Sequence, residues 1–261
     1  MTKPRILFFD IETLPCLVFT WGLGKQYVGY DNMHKERKVS CICYKWSDQD
    51  KVHSLTLDMS KHDLTKRDDD ADRDMIKKFV DIYNQADLAV GHNAIKFDKA
   101  VIRSRLIKHG LPDLAPVIID DTYLQSVPIG FSSHKLDYIS QYLKIGVKAE
   151  HPYRLWVDVS RGSRKALSDT VKYCCQDVRL LEKVYTTLLP YIKTKLNRAV
   201  FSQDETACPS CGSDKLCLQE KKQTLSLGLR YRLRCKTCGK HFTTGVDLVK
   251  NKKLYPREIK L

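Results

Sequence analysis

Asp10 and Glu12 stand two residues apart at the end of an apolar run, ILFFDIET, residues 6–13. Four apolar residues leading into the pair, with a β-branched member, read as a strand buried on both faces. Side chains alternate along a strand, so the two carboxylates share a face, with Cβ atoms roughly 6 to 7 Å apart. Two carboxylates held that close repel each other and require a cation, a proton or water. Hard divalent cations such as Mg²⁺ or Mn²⁺ take carboxylate oxygen readily.

Further acids sit where the chain turns out of sheet into helix. In GHNAIKFD, residues 91–98, a Gly and an Asn follow an apolar strand, and Asp98 falls near the first turn of the next helix. Asp98 alone also reads as a helix cap. Asn93 is a candidate substrate or strand-end contact, and a turn-forming role is equally open to it. In YCCQD, residues 173–177, a spacing of four puts Tyr173 and Asp177 on one helical face. Such a pair alone also reads as two surface neighbours.

Ten cysteines supply a second chemistry. Cys208-Pro-Ser-Cys211 and Cys235-Lys-Thr-Cys238 are two C-x-x-C knuckles separated by 23 residues, a spacer slightly beyond the commonest zinc range. Four thiolates fill a tetrahedral Zn²⁺ and leave no open position, so the predicted ion is structural. Disulfides or a redox pair are the competing readings. Cys16, Cys41, Cys43, Cys174, Cys175 and Cys217 lack ligand spacing and read as reduced core or surface thiols. Between the knuckles, QTLSLGLRYRLRCKTC alternates in period two around Gly228, the pattern of a hairpin whose second strand presents Arg230, Arg232 and Arg234 on one face.

Composition sets the frame for both sites. A hydrophobic share of 43% with 29% charged residues belongs to a globular chain with a core, and 261 residues suggest two domains. The acids at 10 and 12 interrupt the N-terminal apolar run, and no 18-residue apolar stretch follows, so neither a secretory signal nor a membrane span is expected. A cytoplasmic protein is expected, in the host cytoplasm if the chain is viral. Net charge is +14, and residues 191–261 hold 16 basic against 6 acidic residues. Such a surplus suits a polyphosphate partner; a solvated basic tail is the plain alternative.

The elements that must position the acids alternate between strand and helix. RILFFDIE, KVSCICYKW and KVHSLTL read as a strand meander, DRDMIKKFVDIYN as an amphipathic helix, and DLAVGH as a fourth strand. A helix from Phe97 to His109 follows, then a short strand at PVII ending in Asp120 and Asp121. HKLDYISQYLKI and ALSDTVKYCCQDVRLLEKVYTTLL have helical spacing, the second stopped by Pro190. An α/β layer fold for residues 1–190, a basic linker over 191–203 and a small zinc module over 204–261 are expected.

These motifs together resemble the DEDD superfamily of 3′–5′ exonucleases, which includes polymerase proofreading domains and has an RNase H-like fold, a mixed sheet flanked by helices. FFDIET is similar to its first motif, LAVGHNAIKFDKAVI to its second and YCCQD to its third. HKLDYISQYLKI resembles the helix between the last two. Lys172 occupies the position of a branch-defining His and Tyr173 that of the alternative Tyr, so the resemblance is to the tyrosine branch. It implies two Mg²⁺ or Mn²⁺ ions, with Asp10 bridging, Glu12 and Asp177 on the first, Asp98 on the second and Tyr173 orienting water. It also implies release of nucleoside 5′-monophosphates from a 3′ end, with DNA preferred over RNA and replication or repair proteins as company.

CPSCGS with RYRLRCKTCGKHFT resembles the zinc ribbons of transposase-like DNA-binding proteins. That resemblance implies nucleic-acid contacts from Arg230, Arg232, Arg234, Lys236 and Lys240. A noncatalytic nucleic-acid-binding protein on the same fold, or an RNase H-like endonuclease or resolvase, are the competing expectations. No polymerase segment follows residue 190, so action as a separate nuclease is expected.

Overall fold

The computed structural model describes residues 3–147, 153–202, 206–224 and 228–245. The chain forms two compact units, a larger one of residues 5–124 and 131–184 and a smaller one of residues 1–4, 125–130 and 185–261.

The larger unit is built on β1 (Ile6–Leu14), whose mixture of apolar and acidic residues makes sense only as a central strand. The chain leaves it through two short strands paired with each other, β2 (Leu17–Val18) and β3 (Met33–Lys35), then returns as β4 (Lys38–Trp46) and β5 (His53–Thr56). β4 runs antiparallel to β1, and β5 to β4. On the opposite edge, β6 (Leu88–Gly91) and β7 (Ile118–Asp121) add parallel to β1. The five-stranded order is β5-β4-β1-β6-β7. The parallel additions need crossovers, supplied by α1 (Arg73–Tyr83) and α2 (Asp98–His109).

Alternation along β1 divides its duties. Leu7, Phe9 and Ile11 enter the main core, where the Phe9 ring lies 5.5 Å from Phe79 and meets Tyr83 edge-on at 6.0 Å, both rings from α1. Full burial of one such side chain stabilises by roughly 1.5–3 kcal/mol. The intervening Phe8, Asp10 and Glu12 take the other face. There the 25-residue helix α6 (Arg164–Leu188) passes, its Cys174 thiol 3.5 Å from the Asp10 carbonyl. A buried ionic knot fastens α1 to α2 and β4. Asp72, at the start of α1, accepts from the Val39 amide at 3.2 Å, from Arg105 Nε at 2.8 Å, and pairs with His109 Nε2 at 2.8 Å.

The predicted meander, the two crossover helices, the strand at 118–121 and α6 are all present. HKLDYISQYLKI supplies α4 (Leu136–Tyr142). Two further helices, α3 (Thr122–Ser126) and α5 (Arg154–Ser160), of 5 and 7 residues, are not among the expected elements. The β2–β3 pair is shorter still.

In the smaller unit, β8 (Leu216–Thr224), β9 (Gly228–Cys235) and β10 (His241–Gly245) form an antiparallel sheet with β9 in the middle. The expected hairpin thus gains a third strand, and its turn at 225–227 lies outside the described residues. Residues 191–203, which read as a linker in sequence, include a 3-10 turn at Arg198–Phe201 and the buried Ile192, Leu196 and Ala199. Among the described residues no helix is long and apolar enough to cross a membrane.

Candidate active site

Three of the four predicted carboxylates converge. One oxygen each from Asp10 and Glu12 on β1 and Asp177 on α6 lie within 4.8 Å of one another. The shared face of the strand accounts for the first two, and α6 lays the third over it. Between Glu12 and Thr13 the β1–β4 register slips by a bulge, a local twist of the kind that re-aims side chains at active sites.

Asp98 reaches the site differently. It is the first residue of α2 and is 3% exposed, and its Oδ1 accepts the Ile11 amide at 3.1 Å, between the two β1 acids. The side chain ties the second motif to the first rather than capping its own helix. Burial, with the nearby Asp121 charge adding to it, pushes its pKa up to about 7.

The turn that delivers Asp98 depends on residues at both its ends. Gly91 closes β6 where any Cβ would sit 2.4 Å from the Ala94 Cβ, so no larger residue fits. Asn93 adopts a left-handed φ of 62°, a conformation Asn tolerates better than most residues. The Asp121 carboxylate accepts the amides of Asn93 at 2.8 Å, Ile95 at 3.0 Å and Tyr123 at 3.0 Å. The sequence marks Asp121 only as a strand end; its pairing with 91–95 needs β6 and β7 to be neighbours, which no local pattern encodes.

Tyr173 lies one turn before Asp177 on α6, buried with 6% exposure, its ring edge-on to Trp156 at 6.2 Å. The Trp156 indole N–H donates to Glu12 Oε2 at 3.0 Å. Trp156, on α5, therefore joins the third motif to the first, and no local pattern marks it because its partner lies 144 positions away. The ordinary-looking thiols are also close: Cys41, Cys43 and Cys174 lie within 4.8 Å of one another behind Asp10, and Cys43 is 3.1 Å from Cys175.

Three anionic oxygens gathered at a half-buried strand end fit a hard divalent cation by donor type and by their mutual repulsion. The other predicted metal set is equally compact. The sulfurs of Cys208, Cys211, Cys235 and Cys238 lie within 4.8 Å of one another, with Cys208 to Cys238 at 3.7 Å and Cys211 to Cys235 at 3.6 Å. A tetrahedron with bonds of about 2.3 Å has edges of about 3.8 Å, so the spacing suits one Zn²⁺, and it is far too long for a disulfide. Gly212 and Gly239, each directly after a knuckle, take φ of 74° and 81° and donate to the Cys208 and Cys235 carbonyls. That left-handed residue lets each knuckle fold back on its first cysteine.

The predicted nucleic-acid residues fall on both units. Arg230, Arg232 and Arg234 alternate on β9 with Tyr231, Leu233 and Cys235, which pack in the small core beside the thiols. Arg234 and Lys236 are exposed, Arg230 and Arg232 half-buried. Lys240 donates to the Ile192 carbonyl at 2.7 Å, an attachment to the chain's own backbone.

Comparison with known proteins agrees with this geometry. No curated protein matches the sequence. The structure is similar to that of the family B DNA polymerase from the hyperthermophilic archaeon Pyrobaculum calidifontis, with a TM-score of 0.52 and 19% identity over 72% of this chain. The match spans 25% of that polymerase's length. The family model of the RNase H superfamily matches residues 34–189, more than half of the sequence, beginning after the β1 acids. With the sheet order and the acids on its central strand, the match places this chain in the RNase H superfamily.

Proposed function

We propose that this chain is a 3′–5′ exonuclease of the DEDD superfamily, tyrosine branch, acting on DNA and releasing nucleoside 5′-monophosphates. The observation that carries the reading is the convergence of Asp10, Glu12 and Asp177 with Tyr173 one helical turn away. The fold it shares with a DNA polymerase is the reason for preferring DNA.

Asp10, Glu12 and Asp177, with Asp98 beside them, would hold two Mg²⁺ or Mn²⁺ ions, which when bound stabilise the negative charge that develops on the phosphoryl oxygens and the leaving 3′ oxygen. The chain's own part is positioning. Tyr173 holds the attacking water by its hydroxyl, as a hydrogen-bonding partner. Trp156 fixes Glu12 from behind, and Asp98 clamps the Ile11 amide so that Asp10 and Glu12 keep their aim. Water adds across the P–O3′ bond: its oxygen joins phosphorus, the bond to O3′ breaks, and a proton ends on the new 3′ hydroxyl.

The zinc ribbon, with Arg230, Arg232 and Arg234 on one strand face, is proposed to add phosphate contacts. The experiment compares a linear and a closed circular DNA strand with Mg²⁺ and with EDTA. Mononucleotides from the linear strand alone, abolished by EDTA, support the exonuclease. Nicking of the circle supports an RNase H-like endonuclease instead.

A further inference from the structure

The stretch that leaves β1 carries a group of large exposed side chains. Residues 13–30, TLPCLVFTWGLGKQYVGY, contain no Asp or Glu and one Lys. They run from the end of β1 through β2 into a loop that returns to β3. The loop is closed at its root: the Phe19 amide donates to the Asn32 carbonyl at 2.9 Å, and the Phe19 ring packs on His34 at 5.2 Å. Inside it, Thr20 Oγ1 donates to the Gly22 carbonyl at 3.0 Å, Gln26 bonds the same carbonyl, and Gly24 turns the chain at φ 96°.

On this closed frame the large side chains face water. Trp21, Leu23 and Tyr27 are 105%, 102% and 97% exposed, and Tyr30 is 75% exposed. A folded chain normally hides such residues, and a contiguous exposed group of them marks a binding surface. The surroundings indicate its partner. At the loop's root, where Cys16 precedes β2 and Met33 opens β3, lies a cavity of about 880 Å³ whose lining has four basic residues against two acidic ones, besides Arg105, which Asp68 and Asp72 hold. Arg37 and Arg67 lie on that lining, and it extends along α2 to Phe97, the residue before Asp98. The cavity at the root of the aromatic loop is therefore basic on balance, and it lies in the same compact unit as the site acids.

We infer that residues 19–30, with Arg37 and Arg67 of the adjoining cavity, form a stacking arm for the unpaired nucleotides of a single-stranded nucleic-acid substrate. Exposed aromatic rings stack on any base regardless of sequence, while a positive groove follows the phosphates. Bases within a duplex are already stacked on their neighbours, so these rings find stacking partners only in an unpaired strand. Exposed rings beside a cavity with a basic surplus fit a polyanion with unpaired bases better than a protein. The inference rests on the nuclease reading for the direction in which the strand runs.

The test is binding by the full chain, with Ca²⁺ replacing Mg²⁺ to limit turnover, of a fluorescently labelled single-stranded oligonucleotide and of its blunt duplex. Trp21→Ala/Tyr27→Ala should weaken single-strand binding by roughly 5- to 150-fold for each base deprived of its ring, with little change for the duplex. Arg37→Ala/Arg67→Ala should flatten the salt dependence by about 0.7 log units for each phosphate left without its arginine. The substituted side chains are surface groups, and an unchanged melting temperature checks that each variant is folded. Single-strand affinity equal to wild type in the aromatic variant overturns the inference and leaves the loop as a protein-docking surface. Equal reductions for strand and duplex overturn it too. Hydrolysis by the wild type of the p-nitrophenyl ester of thymidine 5′-monophosphate, which is too short to span the loop, separately tests the nuclease reading.

Discussion

The indole N–H of Trp156 donates to Glu12 Oε2 at 3.0 Å, joining a helix that precedes the third acidic motif to a carboxylate of the first. The same indole stands edge-on to Tyr173. One side chain thus orients a candidate metal ligand and packs against the proposed water-positioning residue. Trp156→Phe keeps most of the ring contact and removes the hydrogen bond. Removing a bond that orients a ligand typically lowers metal affinity or activity by about 10- to 100-fold. The expected outcome is a higher Mg²⁺ requirement for hydrolysis, read from a metal titration; an unchanged titration curve would show that Glu12 is held without Trp156.

Substitution of Asp10 or Asp177 by Ala should abolish hydrolysis while leaving the fold intact, because each removes an oxygen from the converging set and relieves carboxylate repulsion. Tyr173→Phe should be milder, since it removes one hydrogen bond to water and keeps the ring on Trp156. Single-turnover rates measure the order. A Tyr173→Phe defect as complete as that of Asp10→Ala would assign the hydroxyl more than positioning.

Asp98 predicts a pH signature of the metal-free protein. Its folded pKa of about 7 lies above the ordinary aspartate value of 3.8, so the folded state keeps a proton that the unfolded chain releases. The stability this contributes is complete below about pH 4 and is lost as pH rises through about 7. In EDTA, the unfolding midpoint of wild type should fall more steeply than that of Asp98→Asn between about pH 4 and pH 7. Mg²⁺ favours the ionised carboxylate and should shrink the difference. Parallel profiles in EDTA would mean that Asp98 is ionised in the folded chain.

For the ribbon, the sulfur spacing predicts one zinc per chain by elemental analysis, retained on dialysis and removed by a strong chelator with unfolding of the three-stranded sheet. Replacing Arg230, Arg232 and Arg234 with Ala should lower nucleic-acid affinity and flatten its salt slope by about 0.7 to 0.9 log units for each phosphate no longer gripped. An unchanged slope identifies the ribbon as a structural cap or a protein-docking surface.

What the sequence discloses about this site follows from how each signal is encoded. Asp10 and Glu12 share a face because strand period is local, and Tyr173 and Asp177 share one because helix period is local. The four thiols announce themselves because two residues separate each pair. Trp156 and Asp121 are not legible as site residues, since their partners lie 144 and 26 to 28 positions away, and only the packing of α5 on β1 and the pairing of β6 with β7 bring them together. The thiols of Cys41, Cys43 and Cys174 look unrelated in sequence for the same reason: β4 and α6 meet only in the folded chain. For Asp98 the two readings, cap or site residue, are separated by one hydrogen bond to Ile11 that no spacing reveals.

The most direct test of the central claim is the polarity of degradation. One DNA strand labelled at its 5′ end, and the same strand labelled at its 3′ end, are incubated with the full chain and Mg²⁺ and resolved over time. The proposed mechanism predicts a ladder of progressively shorter 5′-labelled strands and immediate release of the 3′ label as a mononucleotide. Release of the 5′ label first, or cleavage at internal positions before the 3′ end shortens, would contradict it.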